Sequence, residues 1–225
     1  VNETDVSYQT PLYVAVDMNV TEIVGLLLKH PDTDVNKGIT TYYTPLYIAV
    51  SNDRLEIVKL LLEHPKIDVN KDYGTTHINP LQSAIMKGNM EIVRLFLKSD
   101  IDINAKGMSD LTPLHTAIVY RKLEIVRILL DRDDVNVSLV CEQLNDCTAF
   151  QLAAQSRLSE YVFLFIQRNK DVGNVTFPTD MVELVDRLRK ERDSRITLLT
   201  MNRMMKEDVR PITERILNGV YEKEK

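Results

Sequence analysis

The string TPLYVAV at Thr10–Val16 returns as TPLYIAV (Thr44–Val50), NPLQSAI (Asn79–Ile85), TPLHTAI (Thr112–Ile118) and TAFQLAA (Thr148–Ala154), at intervals of 34, 35, 33 and 36 residues. Each string is followed, 12 residues after its first residue, by a Glu and an apolar run: EIVGLLL from Glu22, EIVKLLL from Glu56, EIVRLFL from Glu91, EIVRILL from Glu124 and EYVFLFI from Glu160. Four of the units then close on Asp-Val/Ile-Asn, at Asp34–Asn36, Asp68–Asn70, Asp102–Asn104 and Asp134–Asn136. Phased copies of this length are the mark of a repeat array, whose units stack because none can bury its apolar surface alone.

Each block has a physical reading. Thr or Asn at the head can cap a helix, and the Pro that follows in four units suits the first helical position, where a missing N–H does no harm. Small Ala at 15, 49, 84, 117 and 153 lets that helix pack closely on its neighbours. The EIVxLLL helices are apolar around nearly their whole circumference, so they must lie between layers. Their leading Glu residues sit where the helix dipole favours negative charge, which explains them without acid–base chemistry.

On these strings the chain resembles the ankyrin-repeat family over about residues 1–173. The resemblance implies an all-α solenoid of stacked antiparallel helix pairs with hairpin loops, plus a C-terminal helical cap. It places repeats near 8–36, 42–70, 77–104, 110–136 and 146–173 in a domain spanning 1–178, leaving 179–225 as a degenerate capping repeat and C-terminal helices. Family members generally have Gly between the two helices of a unit, where this chain has Asn19, Asp53, Gly88, Arg121 and Arg157, and again two residues before TPL, where it has Tyr8, Tyr42, His77, Asp110 and Asp146. Asn and Asp tolerate a left-handed backbone; Arg does so less readily. The resemblance also implies that partners are gripped by the hairpin tips and the exposed face of each first helix, which together line a concave groove. Matched residue by residue, the tips carry Tyr8, Tyr42, Tyr43, Tyr73, His77, Met108 and Leu111, and the groove side carries Asp17, Met18, Asn52, Lys87 and Tyr120. Tyr at such places suits an interface, because it buries a rigid surface and keeps a hydroxyl to bond; the alternative is that these rings lie across neighbouring hairpins and stiffen the stack.

The ends read differently. Val1-Asn2 stands at the same offset before Thr10 as Val35-Asn36 before Thr44, which reads as the tail of an earlier repeat in a longer protein. Beyond Gly173 the pattern fades. Apolar Met201, Met204, Met205, Ile212, Ile216 and Leu217 on 179–225 either cover the last repeat or dock a partner, and a separate small helical domain is the alternative.

Composition narrows the function classes. The 225 residues are 44% hydrophobic and 27% charged, as in ordinary globular chains. Net charge is −5, divided as −6 over 1–178 and +1 over 179–225, which argues against nucleic-acid binding and for a partner with a basic patch. The longest apolar runs fall short of the ~20 residues of a membrane span. Two cysteines, Cys141 and Cys147, and no signal-peptide pattern point to a cytoplasmic or nuclear setting, or to a host cytosol for an exported effector. They share a hairpin in which Cys141–Asn145 reads as an insertion; they either stay reduced or oxidise together. The four His residues lack metal-ligand spacing, and no phosphate-loop, nucleophile-elbow or zinc-protease motif occurs, so neither metal nor cofactor nor catalytic residue is expected. The expectation is a non-enzymatic module, monomeric in isolation, that binds a protein or extended peptide. The alternative is a substrate-targeting arm of a larger enzyme or ubiquitin-ligase adaptor, or an exported effector of a virus or intracellular bacterium.

Overall fold

The computed structural model describes residues 1–39, 43–71 and 78–168, together with Val182 and Asp186. Within them the chain forms helix pairs at the predicted period: α1 (Pro11–Asp17) with α2 (Thr21–Leu28), α3 (Pro45–Ser51) with α4 (Leu55–Leu62), α5 (Pro80–Lys87) with α6 (Met90–Phe96), α7 (Pro113–Val119) with α8 (Leu123–Leu130), and α9 (Ala149–Gln155) with α10 (Ser159–Gln167). First helices pack on first helices from α1 through α9; among the second helices, α2 meets α4, α4 meets α6 and α8 meets α10. The result is the mostly helical stack that the repeats require. One short antiparallel pair, β1 (Val140–Cys141) with β2 (Cys147–Thr148), braces the last hairpin around the extra residues there. The expected C-terminal cap, 179–225, lies outside the described residues except for Val182 and Asp186, both helical and exposed.

Every first helix begins as its head residue predicts. Thr10, Thr44, Asn79, Thr112 and Thr148 hold extended backbone, and the side-chain oxygen of each accepts the amide three residues on, at 2.7–3.3 Å. Only the fifth unit lacks the Pro. There Gln151 Oε1 accepts the Thr148 N–H at 2.8 Å, so a reciprocal capping box takes its place.

The substituted glycine positions behave as their places in the repeat require. Between the helices, Asn19, Asp53, Arg121 and Arg157 take φ of 59°, 55°, 55° and 55°, and Gly88 takes 77°. Before the TPL blocks, Tyr8, Asp110 and Asp146 take 62°, 60° and 55°; Tyr42 and His77 lie outside the described residues. The left-handed turn is thus imposed by the stack, whichever residue occupies it.

Side chains also stitch unit to unit. The closing Asn of each of the first three units reaches the next one: Asn36 Nδ2 donates to the Lys66 carbonyl at 2.8 Å, while its Oδ1 accepts the Asp68 N–H at 2.9 Å. Asn70 makes the same pair with Asp100 and Asp102, and Asn104 with Asp134 and Asn136. Asn2 makes it with Asp32 and Asp34. The ladder holds successive units in register through their backbones.

Candidate partner-binding surface

The residue after TPL reaches the hairpin of the following unit in the third and fourth units, and its chemistry differs along the stack. In the fourth unit His115 is buried; its Nε2 lies 3.1 Å from the Cys147 carbonyl and its Nδ1 2.8 Å from Thr112 Oγ1. A carbonyl can only accept, so Nε2 carries the proton and the Thr112 hydroxyl donates to Nδ1. Burial holds the His115 pKa below its ordinary value, the hydrogen bond to Cys147 opposing the shift. In the third unit Gln82 does the same work: its Nε2 donates to the Leu111 carbonyl at 2.7 Å and to Thr116 Oγ1 at 3.2 Å, and its Oε1 accepts the Met108 N–H at 3.2 Å. In the first two units this residue is Tyr13 or Tyr47. The Tyr13 ring is buried, which raises its pKa, and Asp17, Tyr43 and Tyr47 lie within electrostatic reach of its hydroxyl and raise it further. Tyr43 and Tyr47 meet edge to face with centroids 5.5 Å apart.

Around this frame the structure places the predicted site residues as follows. Tyr8 projects from a tight turn in which Asp5 Oδ1 accepts the Ser7 and Gln9 amides, and is 71% exposed. Met18, at the end of α1, is 70% exposed. Beside it Asp17 is exposed and accepts from Asn52 Nδ2 at 3.3 Å, so these two predicted residues meet across the first two units. Lys87 joins the second and third: its Nζ donates to the Ser51 carbonyl at 2.5 Å and to Asp53 Oδ2 at 3.0 Å. Tyr43 is exposed above its Tyr47 contact, and Tyr120 with its neighbour Val119 stands exposed at the end of α7.

Two hairpin residues depart from expectation. Leu111 is buried rather than at a tip, because it precedes the cap residue Thr112 in extended backbone and its carbonyl is held by Gln82. Met108 is half-buried in a short turn drawn inward by the same Gln82. Tyr42, Tyr73 and His77 lie outside the described residues. Tyr13 and Tyr47 were missed as members of the tyrosine cluster, although the change of TPLH to TPLY in the first two strings was the signal for them. His30 and His64, which stand at the same place in the first two units, have equivalent roles, each Nδ1 accepting the amide two residues on. Among the described residues no group of three or more His, Cys, Asp or Glu is arranged to hold a metal ion, and no helix is long and apolar enough to cross a membrane.

A stack of helix pairs joined by hairpins at a fixed period is a repeat scaffold. The chain belongs to the ankyrin-repeat family: a family model described as ankyrin repeats in three copies matches residues 1–73 and 71–140. Among solved structures it is similar to the crystal structure of EF0377, an ankyrin repeat protein, with a TM-score of 0.64 and 28% identity over 75% of this chain and 85% of that one. No curated protein matches it. Ankyrin repeats are in general protein–protein interaction modules.

Proposed function

We propose that this array recognises a protein or extended peptide along the edge formed by its hairpins and the ends of its first helices, and that it does so without chemistry of its own. Tyr8, Asp17 and Met18 belong to that edge in the first unit, Tyr42, Tyr43 and Asn52 in the second, Tyr73, His77 and Lys87 in the third, and Met108 and Tyr120 in the fourth. The observation that carries the reading is Tyr8: a bulky ring 71% exposed on a backbone with φ of 62°. Its left-handed backbone would be better served by Gly, and its ring lies mostly in solvent. A side chain retained against its own backbone preference is best explained by something it binds.

The acidic balance of 1–178 favours a partner with a basic patch, whose association slows as salt rises. The module works as a monomer in the cytosol or nucleus, and 179–225 covers its last repeat. Removing 179–225 should therefore lower the melting temperature of the remainder; an unchanged melt would assign that segment to docking instead. The site is tested by affinity capture with mass spectrometry. Replacing Tyr42, Tyr43 and Tyr73 together by Ala should abolish capture of the specific partner and leave the helical melting curve nearly unchanged. Capture equal to that of the unaltered chain would refute the assignment.

A further inference from the structure

The two cysteines of the chain face each other across the last hairpin. β1 and β2 pair antiparallel with Val140 opposite Thr148 and Cys141 opposite Cys147. Directly opposed residues of such a pair share one face of the ribbon, with Cα atoms about 4.5 or 5.5 Å apart depending on the hydrogen-bond pattern. Both separations fall within the range of about 4.4–6.8 Å that a disulfide spans. Both thiols are free and buried, Cys141 completely and Cys147 with a narrow exposed edge. The Cys141 thiol donates to the Ser109 carbonyl at 3.3 Å and the Cys147 thiol to Gln155 Oε1 at 3.5 Å. Each sulfur is thus held by one weak bond, which a side-chain rotation can exchange.

The hairpin is built around this pair. Its turn, Glu142–Asp146, is fixed by the Glu142 amide donating to Asp110 Oδ2 at 3.1 Å and by left-handed Asn145 and Asp146. Beside it the Lys106 ammonium is bound to Asp110 Oδ2 at 2.7 Å, which anchors the carboxylate that holds the turn.

We infer that Cys141 and Cys147 are a modification site, closing to a reversible intrachain disulfide by exchange with a small-molecule disulfide such as oxidised glutathione. Cys147, the sulfur with an exposed edge, attacks first as its thiolate. The glutathione S–S bond breaks, one glutathione thiolate leaves, and a mixed disulfide remains on Cys147. The Cys141 thiolate then attacks the protein sulfur of that mixed disulfide and expels the second glutathione thiolate. The two protein thiols give up two electrons, which reduce the glutathione disulfide, and their protons pass to the departing thiolates. Closure ties the hairpin next to two fixed points: the Cys147 carbonyl that binds His115, and the Thr148 cap of α9.

The test treats the folded full chain with oxidised glutathione, then counts thiols and measures intact mass. With only two cysteines present, the expected result is loss of both thiols in a monomer lighter by two hydrogen atoms, with the helical circular dichroism unchanged and both thiols restored by dithiothreitol. Under the same treatment Cys141→Ser should stop at one glutathione adduct on Cys147. Cys141→Ala repeats that arm should the serine variant fail to fold. Adducts persisting on the unaltered chain, a disulfide-linked dimer, thiols that stay free, or closure seen only in urea would each overturn the inference.

Discussion

Among the described residues, nine other than Gly hold a left-handed backbone, from Tyr8 to Arg157. For a residue other than Asn or Asp such a conformation costs about 1 kcal/mol against Gly. Arg121→Gly should therefore stabilise the chain by about 1 kcal/mol, seen as a higher urea midpoint. Tyr8→Gly should give a similar gain while weakening partner capture; a variant that gains stability and keeps full capture would remove Tyr8 from the binding edge. The opposite holds at Gly107, where an added Cβ would stand 2.0 Å from Gln82 Oε1. Gly107→Ala must displace a buried amide from its bonds to Leu111, Thr116 and Met108, and should destabilise by about 1–3 kcal/mol in the same assay. His115 adds a pH dependence. Its folded pKa lies below the ordinary value of 6.5, so the unfolded chain binds the extra proton first and stability falls as pH drops through about 6.5. His115→Gln, the residue that stands at this place in the third unit, should flatten that acid limb.

At the scale of the elements, the ladder predicts that Asn70→Ala, which removes the two bonds to the unit of α5 and α6, costs about 1–2 kcal/mol by chemical denaturation. The helices and their caps were legible in the sequence because each is set by residues within a few positions of one another, Thr with Pro for the start, and the left-handed turns were legible from their fixed place in the repeat. The binding edge was legible only in part. Exposed Tyr8, Met18 and Tyr120 follow from the repeat phase, but the burial of Leu111 follows from Gln82, 29 residues earlier. The ladder, the pairing of Asp17 with Asn52 and the opposition of Cys141 to Cys147 likewise join residues of different units or different strands, where local periodicity carries no information about contact.

Among the described residues, the second helices bury their equivalent Ile side chains unequally. Ile23 on α2 is 48% exposed, whereas its equivalents Ile57, Ile92 and Ile125 are buried at 0–2% between neighbouring units. Ile92→Ala should therefore cost about 2–5 kcal/mol and Ile23→Ala less than about 1 kcal/mol, and hydrogen exchange should be faster in α2 than in α6. Equal costs at the two sites would contradict a stack stabilised unit by unit. The asparagine ladder bears on how such a stack can change. Every rung is received by a carbonyl and an amide of the main chain, which all residues but proline supply, so the joint between units takes little notice of the side chains on either side of it. A unit inserted, lost or exchanged between two rungs meets the same fastening it left. The proposed binding edge can then be rewritten one module at a time by recombination, with the spine held by chemistry that does not depend on the side chains of that edge.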